Sequence, residues 1–546
     1  MSRQRREQEK QPTDRADRKT VKNQSLNRQK TSPNRDGLLT EARNPNSQVK
    51  IVRDKQGRIK EEWQDGHKVE SRYDESGRRI KVTDSLGADL DMGYTEAGLL
   101  RDMRSTGWEM HLKHNERGLE IERVLPGGVV SRNDYDEAGR VSLHSVTSRG
   151  SEMRRMRYRW SLNDRLINTV NELTRKDTWF DYDTMGNLTG STYNNTEKLF
   201  RVPDAVGNLY KTKERSDRKY GAGGRLLETE DTKYHYDEEG NLAAKVTKNK
   251  VWRYLWNTNG SLKEVVRPDL ESVKFEYDAL GRRTAKIFNN KITRWVWDGN
   301  TPLHEWSYPL KDRPKTVKDE FGFESKDREE PVENLITWVF EEGTFKPTAK
   351  LTENGNYSII TDYLGTPAQM YDDRGNLTWE TKLDIYGKVR NFAGSSLSDC
   401  PFRYQGQYFD DETGLAYNRF RYYSPDEGIY LSQDPIGLEG NKTLLYSYVD
   451  NPTISVDSLG LISGWIARDV WSKLDKTVRK KFSEAIKKGI VPPTGNQGII
   501  RLLSTEPLVK EGYTHKLKIL GKGGDIRIYG KEQPNGHIIF DKIQCH

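Results

Sequence analysis

Two short turns carry the residues of this chain that are best suited to acid–base chemistry. Asp434 begins the turn DPIGL, and Asp457 begins the similar turn DSLGL, 23 residues further on. Two carboxylates held close together cannot both ionise cheaply, so they share one proton. One can then activate water while the other protonates or polarises a carbonyl group. On the residues alone, the plainer interpretation is that each aspartate only caps its own turn.

The last 84 residues form a second, basic group. Residues 463–546 hold 16 Lys and Arg against 8 Asp and Glu, which indicates a different partner from that of the acidic middle of the chain. Apolar residues recur every four positions from Ile466 to Ile486 and predict one helix that ends at Gly489. Four strand-like runs follow: IIRLL, YTHKLKIL, DIRIYG and HIIFDKI. The pattern predicts a small α+β domain with an antiparallel meander.

The elements between these turns and the N-terminus repeat with a regular period. Glycines follow one another at steps of 20 or 21 residues, as at Gly77, Gly98, Gly118 and Gly139, inside units such as YDESGRRI, YDEAGRV and YDEEGNL. In each unit an aromatic residue ends a strand, Asp-x-x-Gly makes a turn, and the next strand begins. One hairpin cannot bury its apolar face alone, so the units are expected to add side by side into a long antiparallel sheet.

Composition agrees with a polar, β-rich protein. Hydrophobic residues make up 33%, charged residues 32%, and there are 46 Gly. The 27 Tyr and 13 Trp argue against disorder, because disordered chains have few aromatic residues. Two cysteines, Cys400 and Cys545, are too few for a disulfide framework or a cysteine zinc cluster, and no metal or cofactor is expected. The chain has no run of ~18 apolar residues, so no membrane span is predicted. The start of the chain lacks the apolar core of a secretory signal, and residues 1–48 are predicted to be a disordered basic tail.

The repeats and the stretch FRYQGQYFDDETGLAYNRFRYYSPDEGIYLSQDPIGL resemble the Rhs (YD-repeat) polymorphic toxin family, which includes bacterial wall-associated proteins. The resemblance runs from about residue 50 to Leu461. It implies a mainly β fold, in which an antiparallel β-sheet spirals into a hollow shell around the protein's own C-terminal segment. The expected domains are a shell at 49–400, an RHS repeat-associated core at 401–461 and a toxin at 462–546. About 400 residues is short for such a shell, so an incomplete shell is expected as readily as a closed one.

The resemblance also implies that the chain cuts itself. Asp434 and Asp457 correspond to the family's catalytic aspartates, and Leu461–Ile462 corresponds to the scissile bond. Ser458 departs from the family pattern, which has proline at this position of the second turn.

Family architecture places a variable toxin after this bond, and the tail loosely resembles small metal-independent ribonucleases. Such chemistry needs a base, an acid and cations for the phosphate. The candidates are His515 as base, His537 or His546 as second acid–base group, Asp525 to orient it, Lys518, Arg527 and Arg501 for phosphate, and Lys516, Lys480 and Lys481 for RNA contact.

The implied partners are an RNA substrate (tRNA among the candidates), a cognate immunity protein and a secretion or delivery machinery that carries the toxin into the cytoplasm of a target cell. Two alternatives stay open at this point. The tail could have another chemistry, such as that of a DNase, or the whole chain could be a non-enzymatic surface protein whose aromatic strands bind carbohydrate.

Overall fold

A computed structural model describes residues 30–34, 38–45, 47–318, 324–437 and 444–461, and five strands between 490 and 545. The first 17 strands form one sheet in which each strand pairs antiparallel with the next along the chain. Strands β1 to β17 are Lys30–Pro33, Leu39–Asn44, Ser47–Arg53, Ile59–Gln64, His67–Tyr73, Arg79–Asp84, Asp89–Tyr94, Leu100–Ser105, Trp108–His114, Glu120–Leu125, Val129–Tyr135, Val141–Ser148, Ser151–Trp160, Leu166–Asn171, Lys176–Tyr182, Leu188–Tyr193 and Glu197–Phe200.

A small pair of strands, β18 (Val202–Pro203) and β19 (Leu209–Tyr210), leads to a second sheet of 16 strands. Its strands β20 to β29 are Arg218–Tyr220, Leu226–Thr229, Thr232–Tyr236, Leu242–Thr247, Lys250–Trp256, Leu262–Val266, Ser272–Tyr277, Arg283–Phe288, Lys291–Asp298 and Thr301–Pro309. A separate hairpin, β30 (Thr316–Lys318) and β31 (Glu324–Lys326), interrupts the sheet. Strands β32 to β37 complete it: Ile336–Phe340, Pro347–Thr352, Gly355–Thr361, Pro367–Asp372, Leu377–Leu383 and Val389–Gly394.

Two smaller sheets follow. Strands β38 to β41 (Tyr408–Asp410, Leu415–Asn418, Arg421–Ser424 and Ile429–Tyr430) form one sheet, and β42 to β46 (Ile490–Val491, Gly498–Arg501, His515–Gly521, Gly524–Glu532 and Ile538–Cys545) form the other. The helical elements in the described part of the chain are four short 3-10 turns at Pro126–Gly128, Ala222–Gly224, Leu310–Asp312 and Leu397–Asp399. None of its helices is long and apolar enough to cross a membrane.

The repeat turn, called here the YD turn, is held by both oxygens of its aspartate. Asp74 Oδ1 accepts a hydrogen bond from the backbone N–H of Arg78 (2.9 Å), and Oδ2 accepts one from Arg78 Nε (2.6 Å). Gly77 supplies the left-handed residue of the turn, with φ +83°. Where asparagine replaces arginine, its side-chain amide makes the second bond. The same pair of bonds recurs at Asp54, Asp74, Asp136, Asp183, Asp204, Asp237, Asp278 and Asp372.

The aromatic residue before each turn links it to the preceding one. The Tyr73 hydroxyl donates to the carbonyl of Ile59 (2.8 Å), and the guanidinium of Arg58 lies 4.4 Å from the Tyr73 ring centre. In the same way, the Tyr94 hydroxyl donates to the carbonyl of Arg79, and the guanidinium of Arg78 lies over the Tyr94 ring. Each turn therefore positions the next, which explains the period of the sequence.

The second sheet runs alongside the first in the same direction along the chain. Gln64 bonds both the N–H and the carbonyl of Trp297, Arg123 pairs with Glu341 at 2.8 Å, and Trp108 Nε1 donates to Ser358. These partners are separated by 218 to 250 residues. The ribbon therefore returns along itself and makes a spiral, which confirms the predicted fold class.

Residues 400–437 and 444–461, called here the closing unit, pack against the second sheet. Arg283 of β27 is buried and pairs with Asp410 of β38. Its guanidinium lies 4.5 to 5.5 Å from four ring centres: Phe275, Trp295, Tyr408 and Tyr417. Arg283 pairs with an acid and contacts aromatic faces, so one buried cation joins the closing unit to the sheet.

The sheet begins earlier than the sequence predicts. Strands β1 and β2 pair antiparallel, so residues from Lys30 onward belong to the sheet and not to a tail over 1–48. Between them, Asn34 takes the place of the YD-turn aspartate and accepts from the N–H of Leu38 (2.9 Å). The sequence here is Asn-x-x-Gly, which does not match the Asp-x-x-Gly pattern of the repeats.

The C-terminal strands agree with the predicted runs. Strands β43 to β46 form an antiparallel meander, and β42 adds to its edge in parallel with β43. The helix predicted between Ile466 and Ile486 lies outside the described residues.

The backbones of the first and second sheets come into close contact at Gly127 and Gly375, and this contact can be tested by substitution. A Cβ on Gly375 would lie 2.3 Å from the carbonyl oxygen of Gly127, whereas a Cβ on Gly343 would meet nothing within 4 Å; both residues have φ between +73° and +81°. Gly375→Ala should therefore lower the free energy of unfolding by about 1–3 kcal/mol more than Gly343→Ala. Urea denaturation of both variants measures the difference, and equal losses would contradict the close contact.

Candidate active site

A buried arginine in the closing unit lies at the centre of the candidate site. Arg421 begins β40, the inner strand between β39 and β41, and is 1% exposed. Its guanidinium lies 3.7 Å from the ring centre of Tyr430 on β41. A buried cation requires acceptors for its N–H groups, and the acceptors of Arg421 include the two aspartates selected from the sequence.

The two aspartates meet on one nitrogen of Arg421. Its Nη2 lies 3.0 Å from Asp434 Oδ2 and 3.3 Å from Asp457 Oδ2. Both aspartates are 6% exposed. The fold thus brings together two carboxylates that are 23 residues apart in the sequence. A cation lies between them, and its charge offsets their mutual repulsion.

Each aspartate also begins a turn related to the YD turn. Asp457 Oδ1 accepts from the backbone N–H of Leu461 (2.9 Å), four residues on, as in a repeat turn. In the eight repeat turns that bond both aspartate oxygens, the residue at that position is arginine or asparagine, and its side chain bonds the second oxygen. Leucine has no donor, so Asp457 Oδ2 instead accepts from Tyr430 (2.8 Å) and Arg421. The change to leucine at the fifth position thus leaves the second oxygen to partners from other strands.

The backbone just before the predicted scissile bond is held by the same groups. Arg421 Nε donates to the carbonyl of Gly460 (2.5 Å), and Asp457 binds the N–H of Leu461. Gly460 has φ +65°, and a Cβ there would lie 2.4 Å from the carbonyl oxygen of Asn418. Only glycine allows this approach. Leu461 is therefore held beside the carboxylates, while Ile462 lies outside the described residues.

A short hydrogen-bond chain orients Asp457. Asn418 Nδ2 donates to the Tyr430 hydroxyl oxygen (2.6 Å) and to the carbonyl of Asp457 (2.7 Å). Burial, and then the Asp457 carboxylate, raises the pKa of Tyr430 well above its ordinary value. Tyr430 therefore stays protonated and donates to Asp457.

The turn between β40 and β41 is fixed to the second sheet by Glu427. Its Oε1 accepts from Lys245 Nζ (2.6 Å) and Tyr234 (3.0 Å), and Oε2 accepts from Ser424. Burial alone would raise the pKa of Glu427, but Lys245 and these hydrogen bonds outweigh it and hold the pKa at about 2. This anchor fixes the hairpin that carries Arg421 and Tyr430.

In the C-terminal sheet, strand register places the other predicted site residues on two faces. His515 pairs with Arg501, so these two positions share a face with Leu517 and Ile528. Lys518 pairs with Arg527, and Lys516 shares their face. Asp525, opposite Leu520, lies on this second face. The residues His537, His546, Lys480 and Lys481 lie outside the described residues.

Three residues of the site were not found by sequence reasoning: Arg421, Tyr430 and Asn418. They lie within a tyrosine-rich stretch in which strand alternation is obscured by burial on both faces. The available signal was the leucine at the fifth position of DPIGL and DSLGL, which implies that a donor must come from elsewhere.

Comparison with known proteins agrees with this architecture. The Teneurin YD-shell family model matches residues 127–295, and the RHS protein model matches residues 357–392. Double-stranded DNA deaminase toxin A of Burkholderia cenocepacia is 28% identical over 435 residues, which cover 74% of this chain and 30% of the relative. The "probable deoxyribonuclease RhsB" of Dickeya dadantii is 26% identical over 503 residues, which cover 81% and 31%. These matches support an Rhs/YD-repeat polymorphic toxin family for this chain.

Shorter and structural matches complete the comparison. The tRNA3(Ser)-specific nuclease WapA of Bacillus spizizenii is 30% identical over 138 residues, which cover 24% of this chain and 6% of the relative. A structure of the Photorhabdus luminescens Tc holotoxin pore has 16% identity and a TM-score of 0.56, and the match covers 78% of this chain and 24% of that one. It shares the fold. The chain spans about 30% of the length of the first two relatives.

The Glu427 anchor predicts a pH dependence of stability. The pKa of Glu427 falls from 4.5 to about 2 on folding, so its contribution is fully present above about pH 4.5 and is lost as the pH falls towards 2. Glu427→Gln should destabilise the protein by up to about 3 kcal/mol at pH 7. The difference in the free energy of unfolding between Glu427→Gln and wild type should become smaller as the pH falls from 5 to 2.

Denaturant unfolding at several pH values measures this gap. Glu238→Gln, at an exposed position in a repeat turn, is the matched control and should match wild type throughout. A gap for Glu427→Gln that stays constant with pH would contradict the assigned anchor.

Proposed function

We propose that this chain is an Rhs toxin that cuts its own backbone between Leu461 and Ile462 and releases residues 462–546 as a nuclease, with RNA as the favoured substrate. The observation that carries the proposal is the position of Arg421. Its guanidinium contacts Asp434, Asp457 and the carbonyl of Gly460. Two acids and the backbone next to the candidate bond are thereby held in one buried cluster.

The proposed cleavage is a hydrolysis. Water adds to the carbonyl carbon of Leu461, and one aspartate of the pair takes its proton. The C–N bond to Ile462 then breaks, and the other aspartate supplies a proton to the leaving nitrogen. Arg421 and Tyr430 position the pair, and the turn around Gly460 holds the backbone within reach.

The division of the chain into functional parts follows from this bond. The spiral over 49–400 serves as the wrapper, 401–461 as the cutting unit and 462–546 as the passenger. The passenger carries the excess positive charge, and a basic face with Lys516, Lys518 and Arg527 on neighbouring strands suits a phosphate backbone. His515, on the opposite face, is the proposed base, with Arg501 beside it and His537 as the second acid–base group.

Three relatives are named as a double-stranded DNA deaminase toxin, a probable deoxyribonuclease and a tRNA-specific nuclease. These names support nucleic acid as the substrate class. They also favour a second candidate, a passenger that acts on DNA. In either case we propose two partners. One is a cognate immunity protein, which is expected to be acidic because the passenger is basic. The other is a delivery machinery that carries the passenger into a target cell.

Self-cleavage can be tested with single substitutions in the full chain. Wild type should show a fragment of residues 462–546 on denaturing gels. Asp434→Asn and Asp457→Asn should remove it, because each takes away one acid–base group. Asp373→Asn, at an exposed turn position, should cut like wild type. Persistent cutting in both site variants would overturn the assignment.

The passenger can be tested by its products. Residues 462–546, incubated separately with total RNA and with duplex DNA, should cleave RNA; His515→Ala should slow this by about 10²–10⁴-fold, as expected for loss of an acid–base group. Lys518→Ala should weaken RNA binding, whereas Lys531→Ala, beyond the stretch of β45 that pairs with β44, serves as the charge-matched control. If residues 462–546 modify or cleave DNA and leave RNA intact, the ribonuclease proposal is rejected in favour of a passenger that acts on DNA.

A further inference from the structure

A cavity of about 440 Å³ lies between the first and second sheets and does not include Arg421, Asp434 or Asp457. It is lined by β13 to β16 of the first sheet, by β35 to β37 of the second and by Tyr404, Pro452 and Thr453 of the closing unit, and is called here the seam cavity. Its volume is in the range of small-ligand sites, roughly 300–1,000 Å³. Aromatic side chains form part of its wall, including Tyr158, Phe180 and Tyr193.

Two cations of the seam cavity, Lys382 and Arg154, form no ion pair within the described ranges. Lys382 Nζ donates to Thr178 Oγ1 (2.9 Å), and in the described ranges no carboxylate pairs with it. Arg154 Nε is buried and has no hydrogen-bond partner among the described residues. Burial lowers the pKa of Lys382 to about 8, and the nearby Arg154 and Arg390 add to this effect. Like charges held together out of water are unfavourable unless an anion joins them.

The acids of the lining have other partners. Asp362 and Asp384 cap their own YD turns, where each accepts two backbone N–H groups. Burial raises the pKa of both. Glu380 accepts from Gln369, and Glu197 forms a two-bond ion pair with Arg390. Asp362 attracts Arg154 electrostatically, and the Arg154 side chain also bonds Tyr158. Neither Lys382 nor Arg154 forms an ion pair in the described ranges, so both can still bind an anion.

We propose that the seam cavity binds a small organic oxyanion, a phosphorylated or carboxylated compound, through Lys382 and Arg154. The cations would hold the oxyanion by charge-assisted hydrogen bonds, and the aromatic wall would contact the rest of the molecule. Because the ligand would touch both sheets, its binding would also stabilise the spiral. This site is independent of the proposed self-cleavage.

Calorimetric titration of the full chain tests the proposal, with inorganic phosphate and citrate as separate probes at matched ionic strength. At least one probe should bind, and its identity distinguishes a phosphoryl from a carboxylate ligand. Lys382→Met and Arg154→Met should each weaken the dissociation constant at least about tenfold. Lys250→Met, at an exposed hairpin position, should leave it unchanged.

Absence of binding by both probes, or equal weakening in all three variants, would overturn the site. If the cavity variants do not fold, the ³¹P line width of phosphate with the wild-type chain decides. If the phosphate line broadens in the presence of the chain and excess citrate removes the broadening, the two anions share one site. If the line does not broaden, the proposed site is contradicted.

Discussion

The structure depends on one repeated constraint: in eight of the YD turns, an aspartate uses both carboxylate oxygens. One oxygen binds the backbone N–H four residues on, and the other binds the side chain at that same position, as Asp74 does with Arg78. Charge-assisted bonds of this kind are stronger than neutral ones, so the turn geometry and the strand register are fixed together. The spiral follows from repetition of this unit.

The candidate active site is a modified form of the same device. In the turn of Asp457, leucine replaces the arginine or asparagine at the fifth position, and the second oxygen turns to Arg421 and Tyr430. Asp434 meets the same guanidinium. Loss of a local partner thus creates a long-range one. This account explains why turns that resemble structural repeats could perform chemistry at the end of the ribbon.

Local features of the sequence predicted most of the fold, and long-range contacts set the limit. The Asp-x-x-Gly units located the turns because their bonds join residues only four positions apart, and failed at Asn34, where the residue type changed. The alternation of Lys516, Lys518 and the apolar residues between them predicted the C-terminal strands. Arg421 could not be predicted, because its partners Asp434 and Gly460 lie 13 and 39 residues away in the sequence and their positions depend on how the closing unit packs on the second sheet.

If the Arg421 cluster directs cutting at a single bond, the intact mass of the purified wild-type chain should reveal it. Two species are expected, one that ends at Leu461 and one that begins at Ile462. A single uncut mass, or a fragment that begins elsewhere, would contradict it.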